Sequence, residues 1–198
     1  MNIESGQKLC NLIISVQNRT LRYVAETLLG DNKFLEWPAS LGFHHHYVGG
    51  LLTHTVEVAD YALAAAEAMN LDPTSRDVLV VSALFHDFMK IRDYEKTPYV
   101  ADNRRHILTG NGAEAFITCS DYGTIRHIQG SAIEFAVRAR SFGVSQELEE
   151  RITHCLIAHH GRPEWGSPVE PQTVEALLLH QADMVSAKFG ATKNPITD

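Results

Sequence analysis

The adjacent pair His86-Asp87 closes an almost unbroken apolar run, Val78-Leu79-Val80-Val81-Ser82-Ala83-Leu84-Phe85. A helix that is apolar nearly all round belongs in a core, and a histidine and a carboxylate at its buried end need compensating partners. A metal ion is the most economical of these. Eleven histidines are present, and several fall one to a predicted helix. His54 lies near the start of one, His127 opens another, His159-His160 end a third, and Asp183 lies inside the last. Separate helices converging on one point is how bundles build metal sites. Two aspartates with several imidazoles form a charge-balanced shell for one or two divalent ions. A bound ion can lower the pKa of water from 15.7 to about 7, and two ions about 3.5 to 4 Å apart can stabilise attacking and leaving oxygens together, so hydrolysis is one chemistry open to such a shell. His159 and His160 are about 100° apart on a helix, so the spacing leaves open which binds and which orients its neighbour or contacts substrate.

The elements that must position these groups read as helices. Residues 5–30 carry Leu9, Ile13 and Val16, then Leu21, Val24, Ala25 and Leu28, in one or two helices before Gly30-Asp31-Asn32. Trp37-Pro38, Gly42, the run His44-His45-His46 and Gly49-Gly50 read as a loop. Helices are predicted at 51–69, through the apolar run to His86, and at about 125–141, 145–159 and 171–189. Ile152, Cys155 and Leu156 share the side of His159, while Ala176 and Leu179 precede Asp183 at seven and four positions, so both polar groups face inward. The stretch from Asp93 to Tyr122, with Pro98, Asn103, Gly110, Asn111 and Gly112, reads as long loop or short irregular helix. With no sustained strand-period alternation, the expected fold class is all-α, in a single domain.

Composition narrows the function. A net charge of −7 provides no basic field for long duplex DNA. Cys10, Cys119 and Cys155 are too few and scattered for a disulfide framework or a tetrathiolate site. The start lacks an apolar signal core and no run approaches the roughly 20 apolar residues that span a bilayer, so no membrane partner and a cytoplasmic location are expected.

The pattern His54, His86-Asp87, Asp183 resembles the H…HD…D signature of the HD superfamily of metal-dependent phosphohydrolases. Longer segments resemble the HD module of bacterial 3′ to 5′ exoribonucleases of the YhaM type: Phe43-His44-His45-His46-Tyr47-Val48-Gly49-Gly50-Leu51-Leu52-Thr53-His54-Thr55, His159-His160-Gly161-Arg162-Pro163-Glu164-Trp165-Gly166-Ser167-Pro168, and Ala182-Asp183 followed by Ala187-Lys188. The resemblance covers roughly residues 35–190. It implies an HD-domain helical bundle over 35–198, with residues 1–34 as a helical extension packed on it.

It also implies roles. A first ion is held by His54, His86, Asp87 and Asp183. In binuclear members Asp87 bridges to a second ion, for which the matching positions are His127, His159 and His160. Lys90 sits where the family often has a phosphate-facing lysine, and with Asp87 it makes the expected catalytic pair. Arg162 suits a bidentate contact to phosphoryl oxygens. By position rather than by resemblance, His44 or His45, on a flexible Gly-flanked loop just before the first ligand helix, is the candidate to protonate the leaving oxygen. By position too, Tyr47 and Trp165, beside the proposed ligands, are the candidates to stack on a base. His106, His154 and His180 fall outside the matched segments and are expected to be surface or satisfied structural residues. The implied cofactor is a divalent transition metal, two ions of manganese before iron, cobalt, nickel or zinc.

The implied activity is cleavage of phosphate esters in nucleotides or short oligonucleotides by a metal-activated hydroxide. The exoribonucleases carry an amino-terminal OB-type domain where this chain has about 35 helical residues. This favours a mononucleotide, a cyclic dinucleotide or a short single strand as substrate. Alternatives are a di-iron oxygenase on the same scaffold and a nucleotide-sensing module with a structural metal; a homo-oligomer is compatible with each.

Overall fold

The most buried helix of the molecule is the one that ends at the His-Asp pair. A computed structural model describes residues 3–101, 104–110, 112–120 and 125–193, with side chains as far as residue 189. Its helices are α1 (Ile3–Ser15), α2 (Arg19–Glu26), α3 (Asn32–Glu36), α4 (Gly50–Ala68), α5 (Pro73–Phe85), α6 (His127–Ser141), α7 (Gln146–Ala158) and α8 (Val174–Lys193). Asp72 caps α5, its carboxylate accepting from the Thr74 and Ser75 amides, with Pro73 supplying a preset first turn. From Val78 to Phe85 every residue of α5 is buried, because α4, α7 and α8 pack around it and α2 and α6 close the remaining sides. An apolar run with no polar face has no other stable place.

The amino-terminal helices belong to the same core, with Leu9, Ile13, Leu21, Val24 and Leu28 in one apolar cluster with α4 and α5. Asp77, 5% exposed on α5, ties them down, since its carboxylate accepts the Gln17 amide at 2.9 Å and the Asn18 amide at 2.6 Å. Entry into α4 depends on Gly50: a Cβ there would stand 2.0 Å from the His45 carbonyl oxygen. That close approach brings the histidine run against the first turn of α4.

The predicted helices fall within a few residues of the observed ones, the usual scatter of helix ends. The segment after Asp93 differs from the loop or irregular helix that its composition suggests. Its described residues include a three-stranded antiparallel sheet in the order β1-β3-β2, with β1 at Tyr94–Pro98, β2 at Ile107–Leu108 and β3 at Glu114–Thr118. Tyr94 faces Thr118, Lys96 faces Phe116, and Ile107 also faces Phe116. Period-2 alternation is missing because Ala115, Phe116 and Ile117 are buried in succession, and the ring of Phe116 packs edge-on against Trp37 at 5.0 Å. Asn103, Asn111 and Tyr122 lie outside the described residues. The fold class remains all-α, with the sheet a small appendage on the bundle. No described helix is long and apolar enough to cross a membrane.

Asp77→Ala would leave two amides without their acceptor at a buried junction, and an unmet buried polar group costs about 1 to 3 kcal/mol. The expected outcome is a loss of about 2 to 4 kcal/mol in unfolding free energy, read as a lower urea midpoint at unchanged slope.

Candidate metal centre

Three chain reversals bring the predicted residues to one point. His54 sits on the first turn and a half of α4, His86 and Asp87 follow the last residue of α5, and Asp183 lies on α8, which packs along α4. The His54 Nε2 is 3.1 Å from Asp183 Oδ1, 3.4 Å from Asp87 Oδ2 and 3.2 Å from His86 Nε2; His86 Nε2 is 3.5 Å from Asp87 Oδ2. His54 and His86 are fully buried. On the other side of the same carboxylate, Asp87 Oδ1 stands 3.6 Å from His127 Nε2, at the start of α6, and 3.7 Å from His159 Nε2, just past α7. His160 shares this group, each residue offering a ligand atom within 4.8 Å of the others.

Asp87 Oδ1, His127 Nε2 and His159 Nε2 are buried atoms with no hydrogen-bond partner. Leaving three such atoms unmet is costly, and here they face one another. A divalent cation is the species that this donor set fits, since imidazole nitrogen and carboxylate oxygen suit transition metals.

The imidazoles are held for that purpose. The Nδ1–H of His86 donates to the Ala83 carbonyl at 2.7 Å, that of His159 to Leu156 at 2.6 Å and that of His160 to Trp165 at 2.7 Å. His127 Nδ1–H donates to the Asp93 carboxylate at 3.1 Å. A carbonyl can only accept, so each bond fixes the tautomer and leaves Nε2 bare on the inner side. His180, outside the matched motifs, is a satisfied structural histidine, its Nδ1–H on the His159 carbonyl at 2.8 Å. Gly161 makes room for it, as a Cβ there would lie 2.4 Å from the His180 ring.

Charge follows geometry. Burial pushes the Asp87 carboxyl up, but Lys90 and His86 outweigh it and hold it well below its ordinary value. Asp183 is likewise depressed against burial by its bond to His54. Lys90 is itself buried, its Nζ 2.6 Å from Asp87 Oδ2, and Asp87 keeps it charged against the cost of burial. Burial lowers His159 and His160. It lowers His44 to about 3, helped by the charges of His54 and Lys90. His54 is the exception, since Asp183 and Asp87 outweigh burial and raise it.

The remaining predicted residues ring this cluster. The ring of His44 packs against that of His54 at 4.6 Å, while His45 is 2% exposed behind it with both ring nitrogens engaged, one on His44 and one on Glu57. Tyr47 stands 6.0 Å from the His45 ring. Trp165 is half exposed beside His160, lining with His127, Arg126 and Ile128 a pocket of about 460 Å³. Arg162 is exposed and stacks its guanidinium on Trp165 at 5.2 Å. Sequence reasoning did not single out Glu57, Ser186 or Asp93. Glu57 and Ser186 each lie three positions after a predicted ligand, a spacing that places them on the same helix face; Asp93 carried no such signal.

A family model described as HD domain matches residues 51–188. Among curated proteins, a 3′-5′ exoribonuclease YhaM of Geobacillus sp. is 29% identical over 92% of this chain and 52% of its own length. That of Listeria welshimeri is 29% identical over 94% and 54%, and that of Bacillus licheniformis 28% over 89% and 51%. The chain thus spans about half the length of the curated relatives it matches. No solved structure matches it.

The shifts set the acid limb of stability in the ion-free protein. His44, His45, His154, His159 and His160 are all lowered by burial, so between about 6.5 and, for His44, about 3 the unfolded chain binds more protons. Stability present above pH 6.5 is then lost as pH falls through that window. Asp87 and Asp183 extend the loss below the ordinary carboxylate range. His54 acts oppositely, its contribution being present below pH 6.5 and lost as pH rises through its raised value. Five groups against one give a urea midpoint that falls from pH 7 to pH 4.5, and a flat profile would refute the buried neutral imidazoles. With the paired donor sets built around Asp87 and the match over most of its length, the chain belongs to the HD domain family, the superfamily of metal-dependent hydrolases to which its motif points.

Proposed function

We propose that this chain is a binuclear phosphohydrolase acting on nucleotides or short single-stranded nucleic acid. A first ion would be held by His54, His86, Asp87 and Asp183, and a second by Asp87, His127, His159 and His160. The observation that carries the reading is the set of three unpartnered buried atoms, Asp87 Oδ1, His127 Nε2 and His159 Nε2, beside a complete first set that shares Asp87. Divalent ions so held lower the pKa of water toward neutrality and withdraw charge from phosphoryl oxygens.

The chain's own residues do the rest. Lys90, kept charged by Asp87, places a fixed cation beside the reacting phosphate, which favours hydrolysis over oxygenase chemistry or sensing. Trp165 offers a base-stacking face at the mouth of the pocket beside His127 and His160, with Arg162 on the same ring to meet a phosphate. His44 lies against His54, within reach of the same space. The relatives' activity, that of a 3′-5′ exoribonuclease, supports an RNA end as substrate. The net charge of −7 supports a short rather than a long strand, because each neutralised phosphate needs a cation. Manganese is the first metal to test, and residues 1–34 act as an extension of the same folding unit.

Asp87 is common to both sets, so Asp87→Ala is expected to lower Mn²⁺-dependent cleavage of short RNA more than about 100-fold. Mononucleotides, cyclic dinucleotides and DNA oligomers run beside the RNA identify the preferred class. Equal turnover by wild type and variant would remove the proposed site, and a wild type inert toward every class with Mn²⁺ would leave sensing in place of catalysis.

A further inference from the structure

The imidazoles of the centre are held in two different ways. His86, His159 and His160 lean on backbone carbonyls and His127 on Asp93. His54 is held through a hydroxyl, Ser186 Oγ, at 3.0 Å. A hydroxyl has one hydrogen, and that of Ser186 goes to Glu57 Oε2 at 3.0 Å. Its lone pair is therefore left to accept the His54 Nδ1–H.

The same carboxylate oxygen ends a second chain. His45 Nε2–H donates to Glu57 Oε2 at 3.1 Å. The Nδ1 atoms of His44 and His45 stand 3.1 Å apart, so one of them carries the hydrogen; a neutral His45 spends its only N–H on Glu57, which leaves its Nδ1 to accept the His44 Nδ1–H. His44 is then left with a bare Nε2, next to His54. A carboxylate can only accept, so the hydrogens on Ser186 Oγ and His45 Nε2 are fixed, and a neutral His45 carries that direction on to His44.

From this geometry we infer that Glu57 is a positioning residue that sets the tautomer and orientation of two imidazoles at once, His54 through Ser186 and His44 through His45. The inference rests on the metal-centre reading above in so far as His54 binds the first ion. It goes further in assigning His44 as a hydrogen-bond acceptor toward the centre rather than the proton donor that its sequence context suggests. His45 becomes an internal link and not a group that meets substrate.

The backbone supports this assignment. His45 is one of two described non-glycine residues with positive φ, at 48°, a conformation that costs of order 1 kcal/mol and persists only where the surroundings impose it. Here they do: the Ala39 amide holds the His45 carbonyl at 3.2 Å, and Gly50 supplies the space that this carbonyl occupies. His44, His45 and His54 also lie close enough to share a cation, but His45 would have to surrender Glu57 or His44 to bind one.

Both chains end on one oxygen, which a glutamine carbonyl could replace, so the test removes the acceptor altogether: Glu57→Leu keeps much of the bulk and leaves neither chain an end. Two readouts test it. In the ion-free protein, nitrogen-15 correlation spectra of the imidazoles are expected to show His44 protonated at Nδ1 in the wild type. They should show a reversed or mixed tautomer at His44 in Glu57→Leu and in His45→Phe, but not in Ser186→Ala. By calorimetry, Mn²⁺ affinity is expected to fall about 10- to 100-fold in Glu57→Leu and in Ser186→Ala at unchanged stoichiometry. The double variant should lose no more than the worse single one, because both changes cut one chain. His45→Phe should stay within about twofold of wild type. Wild-type tautomers and affinity in Glu57→Leu would overturn the inference. Full additivity of Glu57→Leu with Ser186→Ala would do the same. Should Glu57→Leu fail to fold, the other two variants each report one arm. His86→Ala separates this from the underlying reading: if the wild type binds Mn²⁺ and His86→Ala still binds it equally, the metal centre itself is wrong, whatever Glu57 does.

Discussion

A single carboxylate, Asp87, sits where the apolar helix α5 runs out, almost wholly withdrawn from water, and the rest of the centre is arranged around its charge. Burying an ionised carboxylate is affordable only with close counter-charges and donors. Asp87 has His54, His86 and Lys90 around one oxygen and faces His127 and His159 with the other. Because α5 is wrapped by α4, α7 and α8, the residues answering Asp87 come from several helices, and the centre forms only when the bundle has closed.

This constraint explains why the surroundings of the centre are so heavily prescribed. Each imidazole has two nitrogens, and only one can face the middle as a lone pair. Backbone carbonyls at the ends of α5 and α7 fix His86 and His159, the turn carrying Trp165 fixes His160, and Asp93 fixes His127. The residue opening the small sheet side of the molecule thus has a task at the centre: Asp93 immediately precedes β1 and its amide and carbonyl bond Lys90 and Cys119. Departures from regular backbone cluster here as well, with Gly161 yielding to His180 and Gly50 yielding to the His45 carbonyl.

Hydrophobic periodicity made the helical elements legible, and the apolar run of α5 announced both its burial and the cost of its polar end. The sheet was not legible, because β3 is buried at successive positions and β2 is only two residues long, so neither shows an alternation to read. His45 illustrates a different limit. Its loop context suggested an accessible group, whereas both its nitrogens are spent on neighbours, one of them twelve residues away on α4.

Residue types and spacing by themselves determined the class of fold, the inward direction of His159 and Asp183, and the set of groups able to hold cations, because a 3.6-residue period and the cost of buried charge act locally along the chain. Tertiary structure alone decided how these groups divide on the two sides of Asp87, which nitrogen of each ring is free, and that Glu57 joins His54 to His44. Those outcomes depend on distances between helices far apart in sequence and on hydrogen-bond directions, which no local pattern of residues encodes.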